Sequence, residues 1–186
     1  MYKCNRCFDR EAKIIVTDEG QERLCNRCFN DMVSEEIGVM LETMPEEIVV
    51  NDFSGTRRDF TVQQRLYPNG IFLEAVEDLE YGYQYSVHGE LDCNQTELFH
   101  KLVNKVKLNV SKRYTKAGEF RNGQKYLSII DDEVGGRIDY DDSNPSVPMV
   151  VVDGRPYTWE QLGEMIMRFE GFQFKMNFFD QTDEVE

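Results

Sequence analysis

Four of the chain's five cysteines fall into two near copies of one hexapeptide. Cys4-Asn5-Arg6-Cys7-Phe8-Asp9 is answered further on by Cys25-Asn26-Arg27-Cys28-Phe29-Asn30. A Cys-x-x-Cys turn bends the backbone so that its two sulfurs converge, and two such turns supply four soft ligands in a tetrahedron. That donor set suits Zn²⁺ in a structural role, because the protein fills every position and leaves none for a substrate. Two disulfides in a secreted protein would use the same residues, but Met1 leads directly into Tyr2-Lys3-Cys4 with no apolar run for a signal peptide. A thioredoxin-like centre needs one such turn at a strand-to-helix junction, not a symmetric pair. Cys4, Cys7, Cys25 and Cys28 are therefore the expected ligands of one structural Zn²⁺, with an iron centre as the main competitor.

Other chemistry-bearing residues are sparse. His88 and His100 are the only histidines, so general acid–base or metallohydrolase work has few side chains to draw on. His88-Gly89-Glu90-Leu91-Asp92-Cys93 groups an imidazole, two carboxylates and a thiol at a strand end, and chance grouping at a turn explains it equally well. Cys93 stands outside the zinc set and reads as a small apolar residue near a helix start. No Gly-rich phosphate loop, nucleophile elbow or His-Glu-x-x-His is present. Asp139-Tyr140-Asp141-Asp142 suggests calcium but lacks the turn glycine and closing Glu of an EF-hand loop; with Asp131-Asp132-Glu133 it reads as solvated loop. The sequence points to no enzyme.

The elements that must position the cysteines are legible between and after them. Lys13 to Thr17 reads as a strand, Asp18-Glu19-Gly20 as a turn, and Gln21 to Leu24 as the returning strand of a short hairpin. Phe29, Met32, Val33 and Ile37 follow at helical spacing, with Gly38 as the stop. Met44-Pro45-Glu46-Glu47 looks like a hinge. Beyond it, Asp59 to Tyr67 alternates, Pro68-Asn69-Gly70 is a turn, Ile71 to Val76 is the partner strand, and Tyr81, Tyr83, Tyr85 and Val87 line a third strand. Asn94 caps a helix with Glu97 at its third position, and Leu98, Leu102, Val106 and Val110 recur on its apolar face. Its other face carries Lys101, Lys105, Lys107, Lys112, Arg113 and Lys116, the one basic cluster of the chain. That cluster suits a nucleic-acid surface, a solvated face or a dock for an acidic segment of the same protein. Residues 117–148 are hard to read, with one strand at Tyr126 to Ile130. Met149 to Val152 is a buried strand, Asp153-Gly154 a turn, and Thr158-Trp159-Glu160-Gln161 a capping box opening a helix to about Glu170. Tyr157 and Leu162 are placed to staple that helix start, and Trp159 reads as a packing residue. Phe172, Phe174, Met176 and Phe178 alternate with polar residues as a half-buried strand, before an acidic tail from Asp180 to Glu186.

The formal charge is −14, and four thiolates with one Zn²⁺ take it to −16. Such a surface repels nucleic-acid backbone at long range and favours solubility or basic partners, although acidic composition is also common in bacterial cytoplasmic proteins. Reduced thiols and the missing leader place the chain in the cytoplasm, and no apolar run is long enough for a membrane span.

Knuckle, hairpin, and a second knuckle opening a helix resemble the treble-clef group of zinc fingers over about the first forty residues. Both knuckles depart from that group in having Phe where a Gly often follows the second cysteine. A zinc ribbon, with a strand after the second knuckle, is the alternative. The overall pattern resembles small uncharacterised bacterial zinc-finger proteins. The expected fold is α+β: a treble-clef-like zinc finger at residues 1–44, then at 45–186 an α+β domain with a mainly antiparallel sheet and two covering helices. A further boundary, if there is one, falls near 117–148. The expected function is a non-catalytic protein-interaction protein, an adaptor or inhibitor stabilised by zinc, whose partner is another protein. The alternative is nucleic-acid binding through the zinc module and the lysine-rich helix 95–116.

Overall fold

In a computed structural model, residues 2–17 and 21–183 are described. The expected turn at Asp18-Glu19-Gly20 and the last residues of the acidic tail lie outside the described residues. The chain is α+β, and every strand pairing is antiparallel. A hairpin of β1 (Ile14–Val16) and β2 (Glu22–Leu24) leads into α1 (Asn26–Ile37). A four-stranded meander follows: β3 (Glu47–Asn51), β4 (Arg57–Tyr67), β5 (Gly70–Glu77) and β6 (Gln84–Gly89). Helix α2 (Gln95–Ser111) then crosses to a ribbon of β7 (Thr115–Glu119) and β8 (Lys125–Ile129). A small sheet of β9 (Arg137–Asp139), β10 (Met149–Val152) and β11 (Arg155–Tyr157) precedes α3 (Trp159–Ile166) and a 3₁₀ turn, Met167–Phe169.

The meander is dictated by alternation. Phe60, Leu66, Ile71, Leu73, Ala75 and Val87 are buried on one face, and the stripe Leu98, Leu102, Val106 and Val110 of α2 closes it. Fully burying each such side chain contributes about 2 kcal/mol. The hairpin between β4 and β5 has Pro68-Asn69 at its tip, with Tyr67 paired to Gly70. A side chain on Gly70 would meet His88 Nε2 at 2.2 Å and the Gly89 carbonyl at 2.4 Å, so only glycine fits there.

Four expectations need correction. The covering helices number three: α1 lies against β4, α2 against β6, β5 and β3, and α3 against β8 and β10. Helix 95–116 ends at Ser111, because the Tyr114 and Thr115 N–H groups are taken by the Asp153 carboxylate at 3.0 and 2.8 Å and the chain turns into β7. Residues 172–178 form no strand; their backbone is extended but pairs with nothing among the described residues. Of the expected tyrosine row, Tyr81 sits in a left-handed turn (φ 60°) before β6, while Tyr83 and Tyr85 stack at 6.1 Å.

Two apolar clusters result. One runs from Cys4 and Leu24 through the meander to Val110; the other gathers Ile129, Val150, Val152, Tyr157 and Met165, with Trp159 and Leu162 packed against it. The capping box at Thr158 and Gln161 is formed. The units of the two clusters meet at Arg137, which donates to the Gly82 carbonyl, and at the Tyr83 ring, which lies 3.1 Å from where a side chain on Gly154 would start.

A buried ion network braces the loop between β3 and β4. Asp52 Oδ1 accepts from Ser54 N–H, Ser54 Oγ and Thr56 N–H at 2.6 to 3.0 Å, and Oδ2 pairs with Arg58 at 2.9 Å. Arg58 also donates to Glu77 at 3.0 Å. Burial alone would push the Asp52 carboxyl up; the donors from Ser54, Arg58 and Thr56 outweigh it and hold it at about 2 against an ordinary 3.8. A folded value below the unfolded one means that the stabilisation is complete above pH 4 and lost as pH falls toward 2, for roughly 2 kcal/mol. Denaturant unfolding across that window is expected to show this loss in the wild type; Asp52→Asn removes the corresponding part of the slope and lowers stability at neutral pH.

Candidate metal centre

The first knuckle is a tight loop. Cys4 N–H donates to the Arg10 carbonyl at 2.9 Å, Phe8 N–H to the Cys4 carbonyl at 3.0 Å, and Lys3 bridges to Glu11. Phe8, where the resemblance leads one to expect Gly, takes the left-handed conformation at φ 55° with its ring 73% exposed. The second knuckle needs no such residue, because Cys25 is the N-cap of α1 and Cys28 lies in its first turn. Phe29 therefore has helical geometry and is buried, so the same residue of two near-copied hexapeptides ends in opposite environments. Gly38, left-handed at φ 72°, ends α1 as expected.

Asparagines fix the two knuckles in place. Asn5 donates its N–H to the Arg23 carbonyl at 2.8 Å and accepts from Arg23 N–H, clipping the first knuckle to β2. Asn30 Nδ2 donates to the Gln64 carbonyl at 2.8 Å, and its Oδ1 accepts from Leu66 N–H at 3.0 Å. Its amide thus stands in for a neighbouring strand along the part of β4 that β3 does not reach. Gln95, also buried, ties the linker to both: Nε2 donates to the Met40 carbonyl, and Oε1 accepts from Glu42 N–H and Gln64 Nε2. None of these residues was singled out from the sequence. The repeated Asn after the first cysteine of each knuckle was the available signal.

The sulfurs of Cys4, Cys7, Cys25 and Cys28 all lie within 4.8 Å of one another, the only such ligand group among the described residues. Cys7 and Cys25 are 3.9 Å apart. A tetrahedral ion with metal–sulfur bonds of about 2.3 Å requires sulfur separations of about 3.8 Å, so the four thiols fit one metal ion. Cys4 and Cys25 are buried in the main cluster, Cys28 is half-buried and Cys7 is exposed. The centre is sunk on one side and open on the other.

Electrostatics favour a cation here. Burial would raise the Cys4 thiol, but the N–H groups of Cys7, Cys25 and Arg6 outweigh it and hold it at about 6. The N–H groups of Arg10 and Asp9 lower Cys7. Cys28 is pushed to about 12, first by burial and then by the neighbouring sulfurs. Ionisation is thus favoured at Cys4 and Cys7 and opposed at Cys28 beside them, a conflict that a divalent ion removes. Arg6 pairs with Glu22 at 3.1 Å. Arg10 and Arg27 instead line a cleft of about 300 Å³ with Cys7, Cys28, Asp9 and Asp31, and neither is in an ion pair among the described residues.

The other candidates are dispersed. His88 stacks on Phe72 at 4.5 Å and meets the Asn69 carbonyl through Nε2, whereas Cys93 Sγ lies where a Gly89 side chain would project. Glu90 and Asp92 join neither in a metal-binding group. The basic cluster is also broken up. Lys105 donates to the carbonyls of Ser86, Gln181 and Asp183; Lys112 pairs with Glu133; Arg113 lies over Phe53; and Lys116 belongs to β7. An acidic segment of the same chain does dock on Lys105.

Three family models match consecutive stretches, each described as a domain of unknown function: DUF7685 over residues 3–40, DUF7686 over 42–111 and DUF7713 over 114–183. Their junctions fall after the Gly38 cap and after the end of α2. No curated protein and no solved structure matches the chain. Among the described residues, no helix is long and apolar enough to cross a membrane.

A left-handed phenylalanine costs roughly 1 kcal/mol that glycine avoids. Phe8→Gly is accordingly expected to raise stability by about that amount with metal content unchanged, read by denaturant unfolding and elemental analysis.

Proposed function

We propose that the chain is a zinc-stabilised, non-catalytic protein-interaction protein of the adaptor or inhibitor type, its first forty residues built as a treble clef. The observation that carries this reading is the closed donor set: four sulfurs of the chain fill a tetrahedral ion's coordination and leave no position for a substrate. Four thiolates favour zinc over harder ions. The order of knuckle, hairpin and helix supports a treble clef over a ribbon. The docking surface is the tip of the first knuckle, where the Phe8 ring stands free beside the cleft of Arg10 and Arg27. An aromatic side chain kept in solvent at a strained backbone position serves a contact rather than the fold.

Protein prepared without chelator is expected to carry about one zinc per chain, with the four thiols resisting alkylation until a strong chelator is added. Metal-free folded protein with those thiols freely alkylated overturns the reading. The full chain used as bait is expected to retain a partner that Phe8→Gly, still metal-loaded, holds at least about tenfold more weakly. Equal retention removes the knuckle as the docking surface.

A second reading, nucleic-acid binding, is favoured by one observation. Phe120, just past the end of β7, and Tyr126 of β8 meet at a 40° tilt with ring centroids 4.5 Å apart, and the ribbon also carries Lys116 and Lys125. Aromatic faces beside basic groups suit single strands. Tyr126→Ala is then expected to weaken oligonucleotide binding at low salt; no binding by the wild type under those conditions disposes of this reading.

A further inference from the structure

Residues 172–179, Phe-Gln-Phe-Lys-Met-Asn-Phe-Phe, alternate as a strand does, yet nothing covers either their side chains or their backbone. Phe172 is 69% exposed, Phe174 89%, Met176 51%, Phe178 70% and Phe179 52%. Among the described residues no backbone hydrogen bond involves 173–179. The segment is nevertheless tethered at both ends. Before it, Gly171 turns the chain at φ 86°, and Phe172 meets Phe169 edge-on at 5.7 Å. After it, Asp180 accepts from Thr182 N–H at 2.9 Å, and Lys105 of α2 holds the carbonyls of Gln181 and Asp183 at 2.8 and 2.5 Å. It is an extended strap between the end of α3 and the outer side of α2, with unpaired donors and acceptors along its length.

We propose that this strap is a self-association element, pairing antiparallel with the same residues of a second copy of the chain. Three features select that occupant. The first is the sequence: with Met176 on the two-fold axis, Phe174 falls opposite Phe178, so aromatic rings meet on both sides of the axis, and Lys175 falls opposite the neutral Asn177, so no like charges face each other. The second is charge. A parallel pair would set Lys175 beside Lys175 and the two acidic tails side by side, whereas the antiparallel pair puts the tails at opposite ends. The third is area. At about 200 Å² for a fully exposed side chain of this size, the five exposures amount to on the order of 650 Å² per copy. Complete burial of those faces in both copies sets an upper bound of about 1,300 Å², at the lower end of the range of specific interfaces. Apolar contact supplies the attraction, the free backbone groups supply the register, and a weak, concentration-dependent dimer results.

Sedimentation velocity on the full, metal-loaded chain tests this. Between about 1 and 100 micromolar the wild type is expected to pass from one-chain to two-chain mass, and Phe174→Ser with Phe178→Ser to need at least tenfold higher concentration. The double variant should keep wild-type stability, because Phe174 is 89% and Phe178 70% exposed and neither belongs to an apolar cluster. Amide exchange at residues 173–179 should slow as the wild type is concentrated. One-chain mass throughout, or a double variant that dimerises as the wild type does, overturns the proposal. Slow exchange where the mass is that of one chain also overturns it, because the strap then lies on its own molecule. Fast exchange with one-chain mass throughout leaves a different protein as the occupant.

Discussion

Four thiols gathered within 4.8 Å cannot all ionise together unless something cationic joins them. The backbone amides of the first knuckle favour thiolate at Cys4 and Cys7, and burial together with the other sulfurs opposes it at Cys28. Ionising all four would place like charges in contact at the edge of an apolar cluster, whereas a divalent ion turns that repulsion into four bonds. The consequence reaches past the first forty residues. Cys4 and Cys25 belong to the same cluster as Leu66, Leu73 and Leu102, so an ion held by the four sulfurs would also set how α1 enters the core of the meander.

The edge of β4 shows what that placement achieves. β3 pairs with β4 only over residues 57–61, leaving the rest of an eleven-residue strand with one open side. Val62 N–H finds the Glu46 carbonyl, and the next two positions are satisfied by the amide of Asn30. Gln95 closes the corner by bonding the linker and Gln64 together. An open strand edge invites pairing with another chain, and here the helix that starts at the second knuckle covers it. The first forty residues thus complete the edge of the sheet.

Features written in local chemistry were legible in the sequence. The two knuckles, the α2 stripe, the capping box at Thr158 and the stop at Gly38 each depend on residues within one or two turns of one another. The strands β3, β7, β9 and β11 were not read, being three to five residues long, too short for alternation to stand out from chance. The four cysteines that gather could be named because Cys-x-x-Cys pairs at this spacing have few other uses. The asparagines that seat them could not, since their partners lie on other elements and an amide in isolation announces no partner.

The two misread segments share a physical cause. Apolar and basic spacing carried helix 95–116 past Ser111, but the carboxylate of Asp153, about forty residues on, binds the N–H groups that the next turn of helix would have used. Local propensity lost to a tertiary hydrogen bond, as it does when the competing acceptor is charged. At 172–178 the alternation is real and the backbone is extended, yet no strand forms, because a strand is a property of a pair. Period-two patterning says which side chains face together; it does not say what they face. Where a chain keeps such a pattern, holds both ends of it and leaves the middle bare, the missing half of the pair has to be looked for outside the molecule.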